Sequence, residues 1–230
     1  MISLKVTLIS IRQGKLIMKI ATIAAVVALF AAASASASPV NLITNGDFEA
    51  VAPGSTFSSG FQVVNNGSSA ITGWTVGATS VDLIRNAYNA INGYSIDMLG
   101  TPGPGFLSQT FNVVAGQTYN LSFDMARNPG GPAGQGVAVN FGGVAQNFYS
   151  TAAASNTLYS NTLSFTAAST GLATLSFASA AKAGTPFDNY SGAVIDNVAV
   201  MAAVPEPETY AMLLAGLGLM GFLRRRKAAK

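Results

Sequence analysis

Short runs in which apolar and polar residues alternate fill the chain between Ser38 and Ala203. The clearest run is Tyr119–Met125, in which aromatic, Leu and Met residues alternate with Asn, Ser and Asp. A period of two is typical of strands with one buried face. Comparable runs occur at Val81–Ile84, Tyr94–Met98, Leu107–Val113, Val137–Phe141, Leu163–Phe165, Leu175–Phe177 and Val194–Val200.

Gly, Pro, Asn and Ser separate these runs, and no segment of the body keeps a helical apolar period of about 3.6 residues over three turns. Many short strands at roughly even spacing predict an all-β fold, namely an antiparallel β-sandwich of jelly-roll type. The alternation also predicts that each sheet has one face in contact with water. The length between Ser38 and Ala203 suits one domain with its own core.

The front of the chain has a different pattern. Lys19 precedes an unbroken run of small apolar residues, Ile20–Ala33, and alternating Ala and Ser then lead to Pro39. A basic start, an apolar helix and small residues at a cleavage site predict a secretory signal peptide, which signal peptidase removes after Ala37, with Ala35 as the alternative cleavage position. We therefore assign residues 1–37 to the signal. Met18 is an alternative start, which would leave the mature protein unchanged.

The end of the chain has three parts in a fixed order. Val204–Glu208 reads Val-Pro-Glu-Pro-Glu, Thr209–Leu223 is apolar, and a basic cluster follows at Arg224, Arg225, Arg226 and Lys227. A helix over 209–223 is about 22 Å long at ~1.5 Å per residue, whereas the hydrocarbon core is roughly 30 Å thick. Lys and Arg stay on the cytoplasmic side, so the preceding chain must lie outside that membrane. The pattern predicts a membrane-pausing tail over 204–230.

This tail resembles the PEP-CTERM sorting signal of Gram-negative bacteria, with Pro205, Glu206 and Pro207 as the motif. The resemblance implies that an exosortase cuts near the motif after a transient stay of the transmembrane helix in the inner membrane. The protein would then reach the cell surface or the extracellular matrix. An ordinary C-terminal membrane anchor is the alternative interpretation.

Most of the positive charge lies in the two ends, although the whole chain carries a formal +3. Between Ser38 and Ala203 three basic residues face seven acidic ones, a net charge of −4. The phosphate-neutralising surface that drives nucleic-acid binding is therefore missing, and nucleic acid is excluded as a partner. The basic residues of the body are Arg85, Arg127 and Lys182.

The chain contains neither cysteine nor histidine. This excludes disulfides, thiol chemistry, His-bound zinc and the Ser-His and Cys-His nucleophile pairs. Carboxylate chemistry, oxygen-ligated calcium and non-catalytic binding remain.

The body carries a second resemblance. Its motifs are Asn41–Glu49, Ile71–Val76, Gly93–Met98, Leu107–Phe111, Tyr119–Pro129 and Ala193–Val200. In this order they resemble the choice-of-anchor C family of exported domains, and more broadly the galactose-binding-like jelly rolls of carbohydrate-binding modules. The resemblance covers about Asn41–Met201. It implies the fold, but a ligand only loosely, because function resides in sites rather than folds.

The resemblance also implies a structural calcium ion, held by Glu49 and Asp196 with a contribution from Asp47. Carboxylates and carbonyl oxygens are the ligands that this hard cation takes. The alternative is that these carboxylates only accept backbone N–H bonds at strand ends.

Polar loop residues are the candidates for ligand binding, because planar amides, tyrosine and arginine offer directional hydrogen bonds and a stacking face. They could equally be ordinary loop residues. Trp74, the single tryptophan, is expected in the core rather than at a sugar site. The candidates are Arg85, Asn86, Tyr88, Arg127 and Asn128.

Glycoside cleavage would need two carboxyl groups at a fixed separation across a cleft. Asp82, Asp97 and Asp124 are the available candidates, but Asp97 and Asp124 alternate with apolar residues and are expected to face solvent. No enzymatic activity and no catalytic residue are therefore expected. The sequence predicts an exported domain that binds polysaccharide or supports a biofilm matrix. The alternatives are a carboxylate-dependent hydrolase of extracellular polysaccharide and a purely structural surface protein.

Overall fold

The computed structural model describes residues 40–57, 60–85, 93–150, 158–184, 190–204, 213–214 and 216–218. The chain divides into two units, one of which is Pro39–Ala203, and the other combines the two ends. Several predicted features lie outside the described residues: the signal peptide, Asn86, Tyr88, the motif Pro205–Pro207, the basic cluster Arg224–Lys227 and most of the helix predicted over 209–223.

Eleven strands form the described part of the unit Pro39–Ala203. In chain order they are β1 (Phe61–Asn65), β2 (Thr75–Ala78), β3 (Ser80–Arg85), β4 (Tyr94–Asp97), β5 (Gly105–Val113), β6 (Thr118–Arg127), β7 (Gln135–Phe141), β8 (Val144–Tyr149), β9 (Tyr159–Thr166), β10 (Gly171–Ala181) and β11 (Ala193–Ala202).

The strands make two antiparallel sheets. One has six strands in the order β1-β3-β4-β11-β6-β9, and the other has five in the order β2-β5-β10-β7-β8. Consecutive strands mostly belong to different sheets, so the chain crosses repeatedly between the layers. The turn Val114–Gln117 is one such crossing, with Gly116 at a φ of 78°. The prediction of an all-β sandwich of two antiparallel sheets is confirmed.

The core lies between the inner faces of the sheets, where the apolar residues of the alternating runs meet. Phe123 of β6 and Phe177 of β10 are fully buried and pack edge to face, with ring centroids 5.1 Å apart. Trp74 also contacts Phe177, at 6.3 Å between centroids. Its indole N–H donates to the Asn45 carbonyl oxygen over 2.9 Å, which satisfies the polar edge of a buried ring. The prediction that Trp74 belongs to the core is confirmed.

The sequence did not predict β1 and β8. In β8, four of the six residues are exposed, so its sequence, Val-Ala-Gln-Asn-Phe-Tyr, shows no contrast between two faces. The helices predicted at the two ends are not confirmed. At the C-terminal end, residues 213–214 and 216–218 are helical. No helix among the described residues has both the length and the apolar character needed to span a membrane.

Candidate functional site

The segment Asn41–Glu49 is fastened to the last strand, β11. Asn41 donates through Nδ2 to the Val198 carbonyl oxygen (3.1 Å) and accepts through Oδ1 from the Val200 N–H (2.9 Å). The Val198 N–H donates in turn to the Gly46 carbonyl oxygen over 2.8 Å. A Cβ at Gly46 would lie 1.9 Å from the Val198 carbonyl oxygen, so this approach requires glycine.

The turn itself is held by Asn45 and Phe48, which both adopt positive φ, 54° and 57°. The Asn45 amide donates to the carbonyl oxygens of Ala50 and Thr72, and its Oδ1 accepts from the Ala50 N–H. Phe48 is fully buried and packs against Trp74 with 5.5 Å between ring centroids. The neighbouring side chains of Asp47 and Glu49 are exposed at this position.

An irregularity in β11 places a third carboxyl group beside them. The register with β6 shifts between Asp196 and Ala199, and Asn197 adopts a φ of 50°. The Asn197 N–H donates to Asp196 Oδ1 over 2.7 Å, and its Nδ2 donates to Asp124 Oδ2 over 3.0 Å. Asp196 lies directly opposite Asp124 in the register.

The charges of three further carboxyl groups therefore act on Asp196, and we term these four residues the acidic cluster: Asp47, Glu49, Asp124 and Asp196. Burial, together with the charges of Glu49, Asp124 and Asp47, raises the pKa of Asp196 to about 7, although the hydrogen bond from the Asn197 N–H opposes the shift. The sequence suggested Asp47, Glu49 and Asp196 as calcium ligands, and in the structure the charges of Asp47 and Glu49 act on Asp196. Asp124, which the sequence suggested only as a catalytic candidate, acts on it too.

Oxygen donors and accumulated negative charge fit a hard cation such as Ca²⁺. The side-chain geometry fits it less well, because no three of the described Asp and Glu side chains converge as a metal-binding group. Glu49 Oε1 accepts from the Tyr94 N–H over 2.7 Å, as the alternative interpretation expected, and its carboxylate lies against Gly93. Calcium binding therefore stays a prediction.

A separate buried carboxyl group, Asp97 of β4, links three segments. It accepts from the Leu99 N–H (2.9 Å), from the Gly192 N–H (2.9 and 3.2 Å) and from Asn128 Nδ2 (2.6 Å). Burial raises the pKa of Asp97 to about 7, although these hydrogen bonds oppose the shift. The expectation that Asp97 faces solvent is wrong, because the side chain is 1% exposed. The segment around Gly192 packs directly over it.

Asp82 of β3 pairs in register with Asp97 and is also buried. Its carboxylate accepts from the N–H (3.1 Å) and the hydroxyl (2.7 Å) of Thr101, and burial raises its pKa. The carboxyl groups of Asp82 and Asp97 thus bond to the protein's own loops instead of lining a cleft. Both groups have structural partners in this arrangement.

The three candidate ligand-binding residues that the structure describes lie at two separate positions, Arg85 at the end of β3 and Arg127 with Asn128 at the end of β6. Arg85 ends β3 and is exposed, with its guanidinium carbon 5.6 Å from the centroid of the Phe57 ring. Phe57 in turn packs against Tyr94, which pairs with Arg85 in register, at 5.5 Å between ring centroids. We term Arg85, Phe57 and Tyr94 the aromatic cluster. The sequence did not suggest Phe57 or Tyr94 as ligand-binding residues, because their contact joins residues that are distant along the chain.

Arg127 and Asn128 lie at the other place, where β6 ends. Arg127 is half-buried, and its Nη1 donates to the Gly131 carbonyl oxygen over 3.3 Å. Asn128 is buried, donates to Asp97, and accepts through Oδ1 from the Gly130 N–H over 2.9 Å. The amide of Asn128 is thus engaged within the protein.

Comparison with protein families gives two matches. The model of the family "Protein of unknown function (DUF642)" matches residues 41–201, and the PEP-CTERM protein-sorting motif matches residues 203–227. A search among curated proteins found no match.

Several solved structures are similar to this chain. A cyclase from Fischerella sp. TAU is 18% identical, with 74% of this chain and 100% of that chain covered and a TM-score of 0.47. TmCBM61 in complex with β-1,4-galactotriose is 15% identical, with 71% and 99% covered and a TM-score of 0.43. Exo-β-1,3-galactanase from Phanerochaete chrysosporium is 15% identical, with 56% and 27% covered and a TM-score of 0.37. At these identities and TM-scores, none of the three indicates a ligand for this chain.

The carboxyl pKa values of about 7 at Asp97 and Asp196 predict an unusual pH dependence of stability. Asp97 has an ordinary value of 3.8 and a folded value of about 7. The folded state therefore holds the proton more tightly, so its stabilising contribution is complete below about pH 4 and is lost as pH rises through about 7. Without added metal, the free energy of unfolding should fall between about pH 5 and 7, by up to about 1.4 kcal/mol per pH unit for each such group.

Urea unfolding at several pH values measures this slope. Asp97→Asn should remove part of it, Asp196→Asn another part, and the double variant most of it. A slope that is unchanged in the double variant would contradict the assignment.

Proposed function

Since this chain belongs to the DUF642 family over residues 41–201 and carries a PEP-CTERM motif over residues 203–227, we propose that it is an exosortase-processed surface protein whose body binds extracellular polysaccharide without catalysis. The match to the sorting motif is the observation that carries the proposal, because it indicates an exported protein that reaches the cell surface. We further assign the sandwich to the galactose-binding-like jelly rolls.

Processing accounts for the order of parts in the tail. The basic cluster resists translocation, because a charge at the membrane centre costs roughly 2.5–3.5 kcal/mol on insertion scales. The apolar segment 209–223 then pauses in the inner membrane while the motif Pro205–Pro207 is presented on the outer side. Cleavage there releases the unit Pro39–Ala203 to the cell surface, or into the biofilm and exopolysaccharide matrix.

Binding is assigned to the body for two reasons. The aromatic cluster combines an exposed guanidinium with two half-buried rings, which suits the polar edges and the apolar face of a sugar. The buried carboxyl groups Asp82 and Asp97 instead bond to their own loops, so they offer little support for the hydrolase alternative. Such a solvated site should bind weakly, at about micromolar to millimolar dissociation constants.

The acidic cluster is proposed to hold a calcium ion through Glu49, Asp196 and Asp47, with Asp124 as a further donor. Burial and then repulsion by the neighbouring carboxylates raise the pKa of Asp196, and a divalent cation would offset both effects. It would tie the Asn41–Glu49 turn to β11 and could bridge the body, at −4, to an acidic polysaccharide.

The tail should be absent from the exported protein. Intact-mass measurement of secreted material should show the loss of everything beyond about Pro205–Glu208. Replacement of Pro205, Glu206 and Pro207 by alanine should hold the chain in the inner membrane, whereas Glu208→Ala, a flanking control, should not. A complete C-terminus on secreted protein would refute the processing.

Calcium should raise the thermal midpoint of the purified body (residues 38–203). A ligand that binds only the folded state stabilises it by roughly 2.7 kcal/mol at a hundredfold excess over Kd. Glu49→Gln and Asp196→Asn should remove the gain. Asp82→Asn, a carboxyl change outside the acidic cluster, should lower the midpoint equally with and without calcium. Equal midpoints of the native body in chelator and in millimolar calcium would rule out the metal.

Polysaccharide binding should depend on Arg85. In affinity gel electrophoresis, acidic polysaccharides should retard the body only with calcium, and retardation should weaken with salt. Arg85→Ala should reduce retardation, whereas Lys182→Ala, which removes another exposed cation, should not. Release of reducing ends would instead establish the hydrolase, and the absence of both retardation and release would favour the purely structural protein.

A further inference from the structure

The charged residues of the strands all lie in one sheet. Strands β2, β5, β7, β8 and β10 contain no Asp, Glu, Lys or Arg. We term this five-stranded layer the neutral sheet. The six-stranded sheet holds every charged strand residue, namely Asp82, Arg85, Asp97, Asp124, Arg127 and Asp196. Edge strands usually carry charge that discourages association, so a whole sheet without it is unusual.

Hydroxyl and amide groups line the outer face of the neutral sheet in rows. The register places Thr75 beside Ser108, Ser108 beside Ser176, and Ser176 beside Asn140, one residue from each of four strands. With strands about 4.8 Å apart, this row spans roughly 14 Å. Thr110 and Thr174 pair in the adjacent row, and both are exposed. Such a face can donate and accept hydrogen bonds along its length.

One aromatic ring lies on this face. Phe106 pairs with Gly77, and a Cβ at Gly77 would stand 2.0 Å from the ring carbon Cζ, so the glycine lets the ring lie across β2. The ring remains 36% exposed. Ala178 and Ala138 occupy the next two positions in the row of Phe106, so no large side chain stands beside the ring. An exposed ring beside small residues offers a stacking surface for the apolar face of a pyranose.

A shallow, open depression of about 300 Å³ adjoins the rows, where β2 and β5 meet the N-terminal turn. Its lining is entirely uncharged and largely polar. The lining residues are Thr44, Gly73, Thr75, Ser108, Gln109 and Thr110. Gln109 is fixed there, since its amide both donates to and accepts from the main chain of Thr44.

The chemistry of the face favours one kind of occupant. An anionic polymer or a nucleic acid would need cations, and the neutral sheet has none. A membrane or a stable second copy would need a broad apolar patch. On this outer face the exposed large apolar side chains among the described residues are Phe106 and Leu172, which lie in different rows. A neutral polymer rich in hydroxyl groups matches what remains.

We propose that the outer face of the neutral sheet binds an uncharged polysaccharide chain, which lies across β2, β5, β10 and β7 and stacks one sugar on Phe106. The inference rests on the proposed function, because the ligand is again a polysaccharide. It adds a second surface, separate from the acidic and aromatic clusters, and names its ligand class. Binding at this surface needs no calcium and is insensitive to salt.

The test is affinity gel electrophoresis of the secreted protein in gels that contain an uncharged glucan, galactan or mannan, or a carboxymethylated glucan. Matched gels contain either chelator or millimolar calcium, and salt is varied up to about 0.5 M. We expect at least one uncharged polymer to retard the protein equally at all salt concentrations, and the carboxymethylated glucan to bind more weakly than its uncharged parent.

Matched variants locate the surface. Thr174→Asp and Thr110→Asp each place a charge in the rows and should weaken binding at least about tenfold, as should Phe106→Ala. Thr162→Asp, at an exposed position of β9 in the other sheet, should bind as the native protein does. Arg85→Ala reports whether the same polymer also uses the aromatic cluster. Thermal melting identifies any variant that fails to fold. If one of the two Asp variants in the rows fails to fold, the binding of the other one tests the proposal.

Two results overturn the proposal. If Arg85→Ala abolishes binding and the row variants bind normally, the polysaccharide binds at the aromatic cluster, and only the proposed function survives. If no polysaccharide retards the native protein with calcium or with chelator, both the proposed function and this inference fail.

Discussion

The close approach of the Gly46 main chain to Val198 organises one end of this protein. It lets the Asn41–Glu49 turn hydrogen-bond along β11, and Asn41 completes the attachment at both of its amide atoms. The charges of Asp47 and Glu49 therefore act on Asp196, and the irregularity of β11 at Asn197 adds Asp124. A Cβ at position 46 would collide with the Val198 carbonyl oxygen, so the acidic cluster can form only with glycine there.

Asp97 performs a comparable task inside the six-stranded sheet. Its carboxyl oxygens accept from main-chain and side-chain N–H groups of three segments that the chain otherwise holds apart. Burying a carboxyl group is costly unless such hydrogen bonds compensate. The unfavourable burial of the Asp97 carboxylate is seen in the raised pKa of this group. Its hydrogen bonds, in turn, hold the loops around Asn128 and Gly192 in place.

The sequence predicted what depends on local alternation and missed what depends on distant contacts. The runs at Tyr119–Met125 and Val194–Val200 identified strands, because a core-facing side chain at every second position leaves a periodic record. The same alternation gave the wrong prediction that Asp97 faces solvent, because it cannot show that loops cover the outer face of β4. Edge strand β8 left no record, because most of its residues are exposed. The aromatic cluster joins Phe57 of a loop to Arg85 and Tyr94 of two neighbouring strands, and no local pattern encodes such a contact.

Together, the sorting motif and the separation of charge indicate a surface domain with two different sheets, one that carries all the charged strand residues and one that is neutral. The most direct measurement is an NMR titration of the secreted protein with an uncharged polysaccharide, combined with the chain length of that polysaccharide before and after. The account predicts chemical-shift changes at Thr75, Ser108, Thr110 and Thr174, with no change in polymer length. The absence of shift changes anywhere in the body, or a shortened polymer, would contradict it.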